Sequence, residues 1–313
     1  MLHLLNGDAT RTAFADANLP GEVAVWRDIL VEGPVSADPV PVPALAARQA
    51  FLAERLGIDP DAYAECAREQ AAALEAAARH DEVVLWFEQD LFCAVNLWRL
   101  LDWFTRQPPA TSVSLVYFAP AEVRGLGELK PATLAGLLAQ RVSVTADMGA
   151  AGQRAWAAYV SPDPLDAVRL SHEHDAALPF VRQAFRCHLG RFPSLANGLN
   201  EVEAATLTVL GRGARGFAEL FRDVSADPRV RPHGMGDVQF AAAVAGLAPL
   251  LRPLGTDLRH TQIEMTSRGR DVMAGAVDWL ALRPIDTWLG GVRLVTGRPL
   301  WRWDGSAGRL VAL

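Results

Sequence analysis

The chain has 313 residues, half of them hydrophobic, and carries 36 acidic against 30 basic residues, a formal net charge of −6. This length supports about two domains with hydrophobic cores of their own, so a globular protein is expected. No apolar stretch reaches the roughly 20 residues that span a bilayer, and the start lacks a basic segment with a cleavage pattern. We therefore predict a cytoplasmic protein without membrane contacts. The cysteines have no Cys-x-x-Cys spacing, which predicts buried, reduced thiols.

The first part of the chain alternates short β-type runs with helical stretches. The four runs are LHLLN, EVAVW, EVVLWFEQ and SVSLVYF. EVVLWFEQ is apolar on both faces, as a central parallel strand must be. Helices are expected after the first run, at 44–57, at 60–79 and from Leu91, and a Pro-rich loop at 29–43. The order predicts an α/β domain over 1–125, Rossmann-like and doubly wound, with a mostly parallel sheet.

The middle of the chain is expected to be helical and to pack on that domain. This extension covers 126–197, with helices at 131–140, 148–160 and 175–190. The turn-rich segment FPSLANGLN at 192–200 is the expected boundary. Asn200 and Glu203 then have the spacing of a capping box at the start of a helix.

The last part, 198–313, has the layout of a winged-helix-like domain followed by a β-hairpin or small meander. Its expected elements are helices at 201–211, 215–223 and 236–248, two β-like stretches within 250–265, and a helix from Thr266. Turns are predicted at Thr296-Gly297 and Asp304-Gly305. Trp301 and Trp303 fall on one face of a strand, where covering a core is favoured over stacking on a base.

Acidic residues follow three of the β-type runs. Asp8 follows the first, Asp28 the second, and Glu88 with Asp90 the third. If the runs are neighbouring parallel strands, these carboxylates meet at the carboxyl edge of the sheet, where open α/β sheets bind ligands. Paired carboxylates there can share a proton or hold Mg²⁺.

A purely structural role is also open to each of these residues. Asp8 and Asp90 can cap the helices that follow them, and Asp28 can bond to loop amides. His3 is a proton-transfer candidate only if its ring reaches Asp8 or Glu88; otherwise it is a core histidine. The His172–Asp175 cluster lacks a third metal ligand at a defined spacing, so a solvated helix start is favoured.

Several segments together resemble a known family. HLLNGDAT, VWRDILVEGP, LAARQAFLAERLG and VVLWFEQDLFCAVNLWRLLDW, in this order over about residues 1–120, are similar to the bacterial domain of unknown function 1835 (DUF1835). The resemblance implies no activity and no residue roles, and many relatives have His or Asn near Asp90. The tail segments GDVQF, TSRGRDVMAG and WLGGVRL resemble the region found on longer members. The matching motif positions are His3, Gly7, Asp8, Trp26, Asp28, Gly33, Pro34, Arg48, Trp86, Glu88 and Asn96.

The leading hypothesis is an enzyme or binding protein for a nucleotide-like or phosphorylated small molecule, held at the acidic carboxyl edge under the 29–43 loop. Arg48 would pair with an anionic group. The candidate catalytic residues are His3, Asp8 and Glu88; the candidate ligand-binding residues are Gly7, Asp28, Gly33, Arg48, Asp90 and Asn96; the candidate Mg²⁺ ligands are Asp8, Asp28 and Glu88.

Two alternatives from other classes stay open. The first is a ligand-sensing regulator that binds DNA through the winged-helix-like domain. The expected helix 236–248 offers almost no side chains for base edges or phosphates, which weakens this hypothesis. The second is a non-catalytic interaction scaffold. The sequence does not decide the oligomeric state.

Overall fold

The computed structural model describes residues 1–37, 42–107, 111–117, 125–254 and 261–313. The strands in these ranges are β1 (Leu2–Asn6), β2 (Glu22–Trp26), β3 (Glu82–Phe87), β4 (Ser112–Tyr117), β5 (Val142–Ser143), β6 (Arg215–Gly216), β7 (Leu251–Pro253), β8 (Gln262–Met265), β9 (Asp286–Leu289), β10 (Val292–Val295), β11 (Trp301–Asp304) and β12 (Arg309–Ala312). The helices are α1 (Asp8–Ala17), α2 (Val42–Leu56), α3 (Pro60–Ala77), α4 (Leu91–Arg106), α5 (Pro131–Ala139), α6 (Ala146–Val160), α7 (Leu165–His172), α8 (Val181–Leu189), α9 (Glu201–Leu210), α10 (Phe217–Ser225), α11 (Asp237–Gly246), α12 (Ser267–Met273) and α13 (Trp279–Leu282).

Five strands form one sheet in the order β2-β1-β3-β4-β5. The first four are parallel, and β5 runs antiparallel to β4. β3 lies in the middle, and its residues Val83–Trp86 have no exposed surface, as expected for a strand that is apolar on both faces. The prediction of a mixed α/β fold with a mostly parallel sheet is confirmed.

Helices cover both faces of this sheet. On one face, Phe14 of α1 and Leu134 of α5 pack against Trp86 of β3. On the other face, Trp98 of α4 and Trp156 of α6 lie in a core with the remaining side chains of the strands. The chain therefore leaves β1 toward one face and β3 toward the other, although the two strands are neighbours.

A second core occupies residues 199–279. It is formed by α9, α10, α11, α12 and a three-stranded antiparallel sheet in the order β6-β8-β7. The predicted capping box is present: Asn200 Oδ1 accepts from Glu203 N, and Glu203 Oε2 accepts from Asn200 N, both at 2.9 Å. The assignment of this region as a winged-helix-like domain stays a prediction.

The last strands return to the first core. β9 pairs with β10, β11 pairs with β12, and Leu289, Leu294 and Leu310 are buried among the residues of the first core. The first hairpin turns at Gly290–Gly291, and the predicted turn at Thr296-Gly297 is present after β10, where the amide of Arg298 donates to the oxygen of Val295. The turn after Asp304 is present as predicted.

Two differences in the middle of the chain have local causes. α7 was not predicted, and α8 begins at Val181 rather than near 175. Asp175 Oδ1 accepts from the amides of Ala177 and Leu178, which forms a turn instead of a first helical turn. His172 therefore ends a helix, and the expected helix start at 172–175 was wrong.

Some sequence expectations fall outside the described ranges. These are residues 38–41 of the predicted 29–43 loop, Phe118 of the fourth β-type run, and residues 255–260 of the β-like stretches. Across the described ranges, no helix combines the length and apolar character needed to cross a bilayer.

Candidate functional site

The candidate site lies at the carboxyl ends of β1 and β3. Because the connections after these two strands leave toward opposite faces, this edge is a switch point of the sheet, the place where open α/β sheets bind ligands. Gly7 is the N-cap of α1 and Asp90 is the N-cap of α4, so both helices begin at this edge.

Three side chains at this edge form what we call the switch-point cluster: Glu88, Asp90 and Cys93. One potential ligand atom from each lies within 4.8 Å of the others. Glu88 Oε1 accepts a 2.7 Å hydrogen bond from the amide of Leu126, and Asp90 Oδ1 accepts one of 2.8 Å from the amide of Cys93. Asn6 at the end of β1 donates to Cys93 Sγ at 2.9 Å. The cluster is thus held by residues at the ends of both strands of the switch point.

The cluster shifts the pKa values of its own members. Burial, followed by the charge of Asp90, raises the pKa of Glu88 from 4.5 to about 7. Burial also raises the pKa of Asp90, against the opposing effect of its amide hydrogen bonds, and it raises the pKa of the Cys93 thiol well above 9. Near neutral pH, Glu88 can therefore both release and accept a proton.

Two glycines allow other segments to approach the carboxylates closely. A Cβ on Gly125 would lie 3.0 Å from Glu88 Oε1, and a Cβ on Gly234 would lie 2.2 Å from Asp90 Oδ1. Gly234 has φ = 63°, in the left-handed region that favours glycine. Between the two acids, Gln89 Nε2 is buried and has no hydrogen-bond partner among the described residues.

Asp8 has a partner away from the cluster. Arg27 donates to both of its carboxylate oxygens, at 2.7 and 2.9 Å, and also to Glu69 at 2.9 Å. This hydrogen bonding is the main reason why the pKa of Asp8 is lowered. The side chain is exposed and makes no cap bond in α1, so capping is not its role. The adjacent Gly7 has φ = 86°, and a Cβ there would meet no atom within 4 Å, so the first turn of α1 is open above it.

Asp28 belongs to a buried network with Arg48. Arg48 donates to Asp28 Oδ1 at 2.8 Å and to Tyr63 Oη at 2.7 Å. Its remaining N–H groups bond to the backbone oxygens of Ile29, Glu32 and Pro34. All five donors of the guanidinium are used within the protein. The expectation that Arg48 binds an anionic ligand is therefore replaced by a structural role, in which it holds the loop after β2.

Gly33, at φ = 77°, belongs to the same loop. A Cβ there would lie 2.9 Å from the ring of Phe51 and 3.4 Å from Arg48 Nη1. Close packing on Phe51, together with the positive φ, therefore accounts for a glycine at this position.

His3 and Asn96 are fully buried and fully bonded. Trp86 Nε1 donates to His3 Nδ1 at 3.1 Å, so the proton is on Nε2, which donates to the oxygen of Pro20. Burial lowers the pKa of His3 and keeps it neutral. It pairs in register with Val23 and Val84, well before the carboxyl edge, so the core alternative for His3 is the one observed.

Asn96 ties three elements together. Its Nδ2 donates to Asn6 Oδ1 at 3.1 Å and to the Asp28 oxygen at 3.0 Å, and its Oδ1 accepts from Trp26 Nε1 at 3.3 Å. No donor of the amide is left for a ligand.

The predicted metal set of Asp8, Asp28 and Glu88 does not form. In the part of the chain that the structure describes, the group able to hold a metal is the switch-point cluster. Sequence reasoning missed Cys93, although its position three residues after Asp90 in the first turn of α4 places the two on one side of the helix. His172 contributes to no such group, since its Nε2 lies 2.8 Å from the Gly308 oxygen.

Comparison of the chain with protein-family models and with curated proteins gives no match. The resemblance to the DUF1835 family thus stays a prediction.

Proposed function

We propose that the chain binds a small nucleotide-like or phosphorylated molecule at the switch point between β1 and β3, with Glu88 and Asp90 at the centre of the site. The observation that carries the proposal is the switch-point cluster, two carboxyl groups and a thiol within 4.8 Å at the edge where such sheets bind ligands. The strand order and the helices on both faces also support a Rossmann-like, doubly wound assignment. Membership in the DUF1835 family is part of the same proposal.

The two helix starts at this edge differ in what they offer a ligand. Asp90 already occupies amides in the first turn of α4. Gly7 gives α1 no side-chain cap, and Arg27 neutralises the neighbouring Asp8. The open amides of α1 are therefore suited to an anionic group, while the carboxylates of the cluster are suited to a cation that accompanies it.

The donor set favours a softer ion than Mg²⁺. Magnesium prefers oxygen ligands only, whereas a thiolate with two carboxylates suits Zn²⁺. A bound cation would displace the proton of Glu88 and the proton of Cys93, so binding should strengthen as the pH rises through about 7. If turnover follows binding, Glu88 is the proton-transfer candidate.

A thermal-shift screen tests the proposal. Purified protein at pH 8 would be heated with Mg²⁺, Mn²⁺ or Zn²⁺, alone and with nucleotides and sugar phosphates. A ligand at about 100 times its Kd adds roughly 2.7 kcal/mol to the free energy of unfolding, which raises Tm by several degrees. We expect a cation-dependent rise that Glu88→Gln removes.

Asp8→Asn is the matched control, because it removes a carboxylate of the same edge that already has a partner. It should keep the response. An equal response in wild type and Glu88→Gln would refute the proposed site and favour the scaffold alternative.

A DNA-binding regulator is the second candidate, favoured by the order of elements in the second core. The elements come in the order α9, β6, α10, α11, β7 and β8, and the three strands form one antiparallel sheet. This order resembles that of a winged helix. Against it, α11 carries only Asp237 and Gln239 as polar side chains, and Gln239 accepts from the amide of Gly236. Retention of the protein on duplex DNA at about 50 mM salt, falling steeply with added salt, would support this candidate, and no retention would remove it.

A further inference from the structure

A cavity of about 160 Å³ lies between the first core and the second. Six of its lining residues come from both sides of the junction: Phe51, Arg55, Glu203, Ala243, Trp279 and Arg283. The cavity is separate from the switch-point cluster, since none of Glu88, Asp90 and Cys93 lines it.

Two guanidinium groups at this cavity form no ion pair or hydrogen bond with a carboxylate of the described residues. Among the described residues, Arg55 has no hydrogen bond or ion pair. Arg283 donates one hydrogen bond, to the Gly246 oxygen at 2.9 Å, and its charged end lies 5.9 Å from the centre of the Trp279 ring. Both side chains are partly buried, where a positive charge without a partner is costly. Burial lowers the pKa of Arg283, the charge of Glu203 opposes this shift, and the charge of Arg55 adds to it.

The acidic residues around the cavity are occupied elsewhere. Glu32 pairs with Arg191 at 2.9 Å, and Asp286 pairs with Arg293 at 2.8 Å. Glu203 accepts a hydrogen bond from the amide of Asn200 in the capping box. Burial raises the pKa of Glu203, and the nearby charges of Arg283 and Arg55 oppose this shift. In the described part of the chain the cavity is thus lined by two guanidinium groups that form no ion pair, and the carboxylate nearest to them, on Glu203, is held in the capping box.

A buried histidine adds a further unused polar atom. His233 lines the cavity, and its Nε2 has no hydrogen-bond partner among the described residues. The nearest carboxylate oxygen, on Glu201, is 3.6 Å away, beyond hydrogen-bond distance. Burial lowers the pKa of His233, so the ring is neutral and can donate or accept.

We propose that this junction cavity binds a small oxyanion, inorganic phosphate or a short carboxylate, between Arg55 and Arg283. A cavity of about 150 Å³ holds a molecule the size of benzene, whereas drug-sized and nucleotide-sized ligands need roughly 300 Å³ or more. Guanidinium groups bind phosphate and carboxylate through paired hydrogen bonds. This site is additional to the one at the switch point, and its occupant would link α2 of the first part to α13 and the segment after it.

Isothermal titration calorimetry with phosphate, and separately with succinate, tests the inference on the full chain, with sodium chloride at matched ionic strength as the blank. We expect 1:1 binding of at least one of the two anions. Arg55→Gln should weaken it about tenfold or more, as for the loss of a charge-assisted hydrogen bond. Arg55→Lys keeps the positive charge but lacks the paired N–H donors of a guanidinium. Its affinity for the anion should therefore lie between that of Arg55→Gln and that of wild type.

Two control variants separate binding in this cavity from binding elsewhere on the protein. Arg182→Gln removes an exposed arginine of α8 and should leave the affinity unchanged. Glu88→Gln should also leave it unchanged, because the switch point is a different site. No heat above the chloride blank at about 10 mM anion, or equal weakening by Arg55→Gln and Arg182→Gln, would overturn the inference.

Discussion

The carboxylates at the edge of the first sheet differ from one another because their immediate partners differ. Asp8 faces Arg27, which lowers its pKa, whereas Glu88 is buried beside Asp90, which raises its pKa to about 7. Asp28 is held by a fully bonded arginine. Residues of one chemical type at the ends of neighbouring strands therefore have three separate roles.

Replacing Glu88 should change how stability depends on pH. Since the folded-state pKa lies above the unfolded value of 4.5, folding is favoured by protonation, and stability falls as pH rises from about 4.5 to about 7. Glu88→Gln keeps an acceptor for the Leu126 amide and removes the charge. At pH 8 we expect this variant to be more stable than wild type by on the order of 2 kcal/mol, with little difference at pH 4.5.

Denaturant unfolding at the two pH values measures this difference in the absence of divalent ions. Asp8→Asn is the control, because loss of an exposed ion pair should change stability by less than about 1 kcal/mol. A wild-type stability that stays flat between pH 5 and 8 would contradict the raised pKa of Glu88.

Replacing Arg48 should be far more damaging than replacing an exposed arginine. Arg48→Gln removes the guanidinium donors to Asp28 and to three backbone oxygens, which we expect to cost about 3–5 kcal/mol of unfolding free energy. Arg68→Gln on α3, where the side chain is 67% exposed, should cost less than about 1 kcal/mol. Urea denaturation compares the two, and similar losses would mean that Arg48 is not the centre of the loop network.

At the scale of elements, the switch point is covered by a segment of the second core. Gly234 follows the short turn at Arg231–His233 and lies against Asp90, the N-cap of α4. Gly234 has a left-handed backbone and also lies in close contact with Asp90. Both features disfavour a side chain at this position.

Gly234→Ala should therefore cost more stability than an alanine at a glycine with the same backbone but open surroundings. Gly57 has φ = 67° and no atom within 4 Å of a Cβ, so Gly57→Ala measures backbone strain alone, about 1 kcal/mol. We expect Gly234→Ala to exceed it by about 1–3 kcal/mol, as overpacking does. Thermal unfolding compares the two variants. Equal losses would show that the contact with Asp90 relaxes without cost.

At the scale of the whole molecule, the last strands lie on the core that the first strands build. Leu294 of β10 is 1% exposed and lies with residues of the first sheet and α4, more than a hundred positions earlier. The second core thus lies between two parts of the chain that pack together.

Leu294→Ala should consequently weaken the N-terminal sheet. A buried Leu→Ala substitution costs about 2–5 kcal/mol, whereas Leu254→Ala, at a side chain that is 54% exposed, should change little. Hydrogen exchange of the β3 amides reports the effect directly. Unchanged protection of β3 in Leu294→Ala would mean that the C-terminal hairpins fold independently of the first core.

The sequence alone determined the four parallel strands of the first sheet, most of the helices and the capping box of α9. These features depend on local patterns: apolar runs, helical periodicity and turn residues at short spacing. It also indicated the carboxyl edge as the place of the candidate site, because strand ends can be inferred from such patterns.

Only the tertiary structure decided which side chains meet at that edge. Asp8 pairs with Arg27, Asp28 with Arg48, and Glu88 lies with Asp90 and Cys93, because each choice depends on rotamers and on partners from distant segments. The return of the last strands to the first core also depends on contacts between distant segments, and so does the junction cavity. Long-range packing selects among contacts that are equally compatible with the local sequence, and therefore no local pattern reveals them.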